Sequence, residues 1–60
     1  MMSVWNAYAE YEDGTIIDVD IPHYTNTYED ECDYQQYLEE WLMRQHQDII
    51  FYSVSITDEI

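Results

Sequence analysis

The sequence predicts an α+β fold of order ββαβ: a three-stranded, mainly antiparallel sheet with one helix packed on one face. Three patterns lead there. Apolar residues alternate along two arms joined by Asp13-Gly14. A helical apolar stripe follows over residues 34–45. A second alternating run, "IIFYSVSIT", comes near the end of the chain. A sheet with one apolar face needs a cover, and one amphipathic helix supplies it. Sixty residues are read as a single domain, residues 1–60.

The hairpin comes first. In "AYAEYEDGTIIDVDI" the small and aromatic residues of the first arm sit at odd positions, as do Ile17, Val19 and Ile21 of the second. A two-residue Asp13-Gly14 loop would set Ala7 and Ala9 beside Asp20 and Asp18 and mix both faces. A three-residue loop, Glu12-Asp13-Gly14, pairs Tyr11 with Thr15, Ala9 with Ile17, Ala7 with Val19 and Trp5 with Ile21. One face is then entirely apolar. The turn is a type I turn followed by Gly14 in the left-handed conformation. A one-residue slip would turn every side chain to the wrong face, so burial selects this register. The other face carries Asn6, Tyr8, Glu10 and Glu12 against Ile16, Asp18 and Asp20. Carboxylates two residues apart on a strand stand about 6.6 Å apart, a spacing that resembles the phosphate repeat of a nucleic-acid strand.

Pro22 is expected to end the second strand, because it cannot donate to a ladder. His23 then falls in a polar connector. Asn26 or Thr27 caps the helix, with Glu29 or Asp30 closing a capping box. The helix is expected to reach about Gln47. Tyr34, Tyr37, Leu38, Trp41, Leu42 and Gln45 form its buried stripe, and Glu29, Asp33, Gln36, Glu40, Arg44 and Gln47 its outer face. In the last strand Ile50, Tyr52, Val54 and Ile56 point inward, while Phe51, Ser53, Ser55 and Thr57 join the acidic face. The first strand is placed in the middle of the sheet. A third strand lying parallel to the second is the alternative.

Charge sets the chain apart. Fourteen acidic residues face one basic residue, Arg44, for a net charge of -13. Such charge often marks disorder. Here 47% hydrophobic content, with two Trp, seven Tyr and one Phe, marks a foldable chain. Without lysine and with a single arginine, nothing is available to neutralise phosphates, so direct nucleic-acid binding is excluded. An anionic surface attracts basic proteins, above all those with basic nucleic-acid channels. The lone Cys32 excludes an internal disulfide and suits a reducing compartment. With no basic, apolar leader at its start and no membrane-length apolar run, the chain is read as cytosolic.

Catalytic and metal chemistry find little support. Asp18 and Asp20 offer a hard cation two carboxylates, where calcium needs six or more oxygens from a looped backbone. His23, Cys32 and His46 lack zinc-ligand spacing. Carboxylates around Cys32 oppose a thiolate. A hydrolytic carboxylate pair needs a cleft that so small a core leaves no room for. No cofactor, no metal and no enzymatic activity are expected. Tyr11, Tyr34, Tyr37 and Tyr52 are assigned to the core or its edge, and Tyr8, Tyr24 and Tyr28 to the surface.

The ensemble "YAEYEDGT…YEDECDYQQYLEEWLMRQHQD…FYSVSITDE" resembles the small, acidic, Tyr-rich proteins of phages and prophages. Among these are anti-CRISPR and other anti-defence inhibitors, several of them DNA mimics. The likeness is one of size, charge and surface character, with no shared motif and no residue-by-residue correspondence. It implies a partner class: a host nuclease, restriction enzyme, repair enzyme or transcription factor with a basic groove. On this expectation the chain is a stoichiometric inhibitor in the cytoplasm of a bacterial host, with CRISPR–Cas effectors the first class of target. Glu10, Glu12, Asp18 and Asp20 stand in for phosphates, Tyr8 and Phe51 anchor, and Glu29, Asp33 and Glu40 extend the footprint along the helix. The competing expectation is a small phage structural or assembly module acting as a homodimer through a strand edge or the helix.

Overall fold

The structure is a computed structural model that describes residues 2–45 and 48–59. Its elements are β1 (Met2–Tyr11), β2 (Ile16–Tyr24), α1 (Tyr28–Gln45) and β3 (Ile49–Glu59). The sheet order is β2-β1-β3, with β1 antiparallel to both neighbours. The fold is therefore α+β and ββαβ, with the first strand central.

The hairpin takes the register that burial selects. Trp5 faces Ile21, Ala7 faces Val19 and Ala9 faces Ile17. Tyr11 N–H donates to Thr15 O and Gly14 N–H to Tyr11 O, both at 3.0 Å. Gly14 has φ +90°, a conformation that L side chains rarely adopt. Asp13 caps the turn by accepting from Thr15 N–H at 2.9 Å.

The core is built on the inner face of β1. Trp5, Ala7, Ala9 and Tyr11 are buried with Leu38 and Leu42 of α1 and Val54 of β3. The two alanines let the helix approach closely, and the Tyr11 hydroxyl reaches Leu42 O. Two buried polar atoms, Ser3 Oγ and Trp5 Nε1, find no hydrogen-bond partner among the described residues.

Four local expectations are corrected. Strand β2 does not stop at Pro22; it pairs on through Pro22 and His23 to Tyr24. β2 lies at the sheet edge, where one side of the strand has no neighbour that needs the missing N–H. His23 is consequently a strand residue. At the start of β3 the inward position belongs to Ile49, and Ile50 is 65% exposed. The ladder steps from Glu10↔Phe51 to Tyr11↔Ile49, so a bulge skips Ile50 and reverses the alternation. Tyr37 lies outside the buried stripe at 57% exposure, whereas Tyr52 does face inward, opposite Ala9, at the edge of the core. Gln45 is exposed too, its amide folded back to donate to Trp41 O at 3.1 Å.

The helix cap resolves to Thr27 and Asp30. Asp30 N–H donates to Thr27 Oγ1 at 3.1 Å, and Asp30 Oδ2 accepts from Asn26 and Thr27 N–H at 3.0 and 3.2 Å. The expected end at Gln47, and His46 beside it, lie outside the described residues. α1 sits over β1 and β3 and makes no close backbone approach to β2. That placement leaves Ile17, Val19 and Ile21 only half-buried.

Candidate functional site

The face of the sheet turned away from α1 has no cover among the described residues. Alternation sends Asn6, Tyr8 and Glu10 there from β1, Ile16, Asp18 and Asp20 from β2, and Phe51, Ser53 and Ser55 from β3. Asp18 and Asp20 are exposed, while the three β1 residues are half-buried between their neighbours.

The carboxylates on this face are held in place. Asn6 Nδ2 donates to Asp18 Oδ1 at 2.8 Å and to Asp20 Oδ1 at 3.1 Å. One amide thus bridges two like charges and restricts both rotamers. Tyr8 Oη donates to Glu10 Oε2 at 2.8 Å. That hydrogen bond, then partial loss of water, then the charges of Glu10 and Asp18 push the Tyr8 phenol above its ordinary pKa. The phenol therefore stays a donor across the neutral range. Phe51 meets the Tyr8 ring edge-on, centroids 6.1 Å apart at 64°. Carboxylates flank a small aromatic island, and the face carries no basic residue.

The structure brings Tyr8, Glu10, Asp18, Asp20 and Phe51 together on this face. Glu12 lies at its rim, in the exposed turn, where its N–H ties the hairpin to Asp48 O at 2.8 Å. Glu29, Asp33 and Glu40 lie on α1, on the other side of the sheet, and form a separate surface. Glu40 is engaged with Arg44 at 3.6 Å, an exposed pair of small energetic value.

Sequence reasoning passed over Asn6 as a clamp. Its signal was present in the register, which sets Asn6 opposite Asp20 and next but one to Asp18. It also passed over a groove of about 400 Å³ on the helix side, lined by His23, Tyr24, Asp30, Asp33, Tyr34 and Tyr37. His23 stacks on Tyr34, centroids 3.6 Å apart and planes 3° from parallel. Reading His23 as a loop residue concealed this contact.

Among the described residues no three His, Cys, Asp or Glu side chains gather as metal ligands, and no helix is long and apolar enough to cross a membrane. Cys32 is a free, exposed thiol on α1.

No known protein family, curated protein or solved structure matches this chain.

Proposed function

We propose that this chain is a stoichiometric, non-enzymatic inhibitor that sets its acidic sheet face into the basic nucleic-acid groove of a host defence protein. CRISPR–Cas effectors are the first class of target, and the protein acts in the cytoplasm of a bacterial host. The observation that carries the reading is the pre-arranged carboxylate array on an uncovered face: Asp18 and Asp20 joined through Asn6, and Glu10 held by Tyr8. Ordering these groups before binding lowers the entropy cost of association. Net charge of -13 favours fast, salt-sensitive encounter with a basic channel.

Affinity capture from a bacterial lysate at low salt tests the reading. The control is the quadruple variant Glu10→Gln, Glu12→Gln, Asp18→Asn, Asp20→Asn. The native protein alone is expected to retain a nucleic-acid enzyme. Equal recovery on both proteins would remove the sheet face from the contact.

One observation favours a second reading, a homodimeric assembly module. Strand β3 is a sheet edge, and residues 49–57 within it carry no charge in a chain rich in acids. Ile50 and Phe51 are 65% and 52% exposed there. Long uncharged edges pair readily with other strands. Sedimentation at low and high salt separates the readings, because a dimer built on this edge persists or strengthens in salt.

A further inference from the structure

We propose that the groove between the end of β2 and the first half of α1 is a docking site for an arginine side chain of a basic partner protein. The proposal rests on the partner being basic, as above, and adds a contact on the side of the sheet opposite Asp18 and Asp20.

The groove combines aromatic faces with carboxylates. His23 and Tyr34 form a stacked pair. Trp5 supports Tyr34 from the core, centroids 5.4 Å apart at 69°. This wall is fixed by buried structure. Tyr37 leans over it, 5.8 Å from Tyr34 at 23°, and its ring and that of Tyr24 remain more than half exposed. The Asp33 carboxylate, exposed on α1, makes no hydrogen bond or ion pair among the described residues. Asp30 commits Oδ2 to the helix cap and keeps Oδ1 for another donor.

Tyrosine faces beside carboxylates select a cation. A guanidinium suits this site better than an ammonium: it is planar, stacks on rings, is weakly hydrated and meets a carboxylate with two parallel N–H groups. The cation must come from another molecule. This chain has no lysine, and its one arginine, Arg44, sits in the last turn of α1, about two turns beyond Tyr37 and the groove. A second copy would bring only that same Arg44.

The test is a titration of the isotopically labelled full chain, followed by NMR, with three capped tripeptides, Ala-X-Ala, in which X is arginine, lysine or citrulline. Arginine peptide is expected to give saturable shifts at Asp33, Tyr34 and Tyr37. Lysine is expected to bind roughly threefold more weakly, and uncharged citrulline to give no saturation. Tyr37→Ala and Asp33→Asn, both at exposed positions, should each weaken arginine binding roughly fivefold while leaving the rest of the spectrum in place. Equal affinity for lysine and arginine, shifts confined to the Asp18–Asp20 face, or no saturation would overturn the proposal. So would groove shifts produced by concentrating the protein alone, which would assign the groove to a second copy. The quadruple sheet-face variant keeps the groove intact. Its failure to inhibit while still binding arginine peptide would bear on the sheet face alone, and the converse on the groove alone.

Discussion

Asn6 stands where a single amide decides how two charges sit. Without its two hydrogen bonds, Asp18 and Asp20 would share one strand face with nothing between them. Asn6→Ala is expected to cost about 1 kcal/mol in urea unfolding, since bonds to charged groups exceed that value when shielded and fall toward it in solvent. Ser3 presents the opposite case. Its hydroxyl is fully buried with no partner among the described residues. Ser3→Ala should therefore stabilise the fold by about 1 kcal/mol, by removing an unsatisfied polar group at little change in volume. The tyrosines set an alkaline limit. Burial raises the pKa of Tyr11 and Tyr34, and the hydrogen bond to Glu10 raises that of Tyr8. A folded-state pKa above the unfolded value means stability that is intact below about pH 10 and is lost as pH climbs through the folded-state values. The urea midpoint should hold up to about pH 9 and fall beyond about pH 10. A midpoint that rose on the alkaline side would contradict this assignment.

At the scale of elements, the bulge at the start of β3 is the sharpest local claim. Ile49 packs against the core and Ile50 faces solvent. Ile49→Ser is expected to cost about 2 kcal/mol, and Ile50→Ser within about 0.5 kcal/mol of nothing. Equal losses at both would place the strand in unbroken alternation. The hairpin was legible in the sequence because two independent signals agree on it. Asp13-Gly14 demands a specific turn, and Trp5, Ala7 and Ala9 match Ile21, Val19 and Ile17 in one register only. The start of β3 was not legible, since Ile49 and Ile50 are equally apolar and only pairing with Tyr11 decides between them. Pro22 misled because an edge strand, the place already given to β2, tolerates a proline whose missing N–H would face away from its one neighbour. Of the candidate surface, the acidic array followed directly from alternation. The aromatic groove did not, because it depends on α1 resting over β1 and β3 and leaving β2 half covered.

At the scale of the whole molecule, charge dominates. A fold of this size is marginally stable, and -13 net charges repel one another across it. Screening that repulsion should stabilise the protein. Raising salt from low to physiological strength is expected to add about 1 kcal/mol, or roughly 4–8 °C in the melting midpoint. On the proposed reading, the charge is kept despite its cost because it serves a cationic partner. The same salt that strengthens the fold should weaken that partnership, and the opposite signs separate the two effects.

The most direct test of the central claim is displacement of labelled target duplex from purified CRISPR–Cas effector complexes, measured against salt with the native protein and with the variant Glu10→Gln, Glu12→Gln, Asp18→Asn, Asp20→Asn. The native protein is expected to displace the duplex near equimolar ratio at low salt from at least one effector class. Its affinity should drop roughly tenfold or more by physiological salt, with little displacement by the variant. Displacement that is indifferent to both salt and the four substitutions, or no displacement from any effector class, would contradict the account.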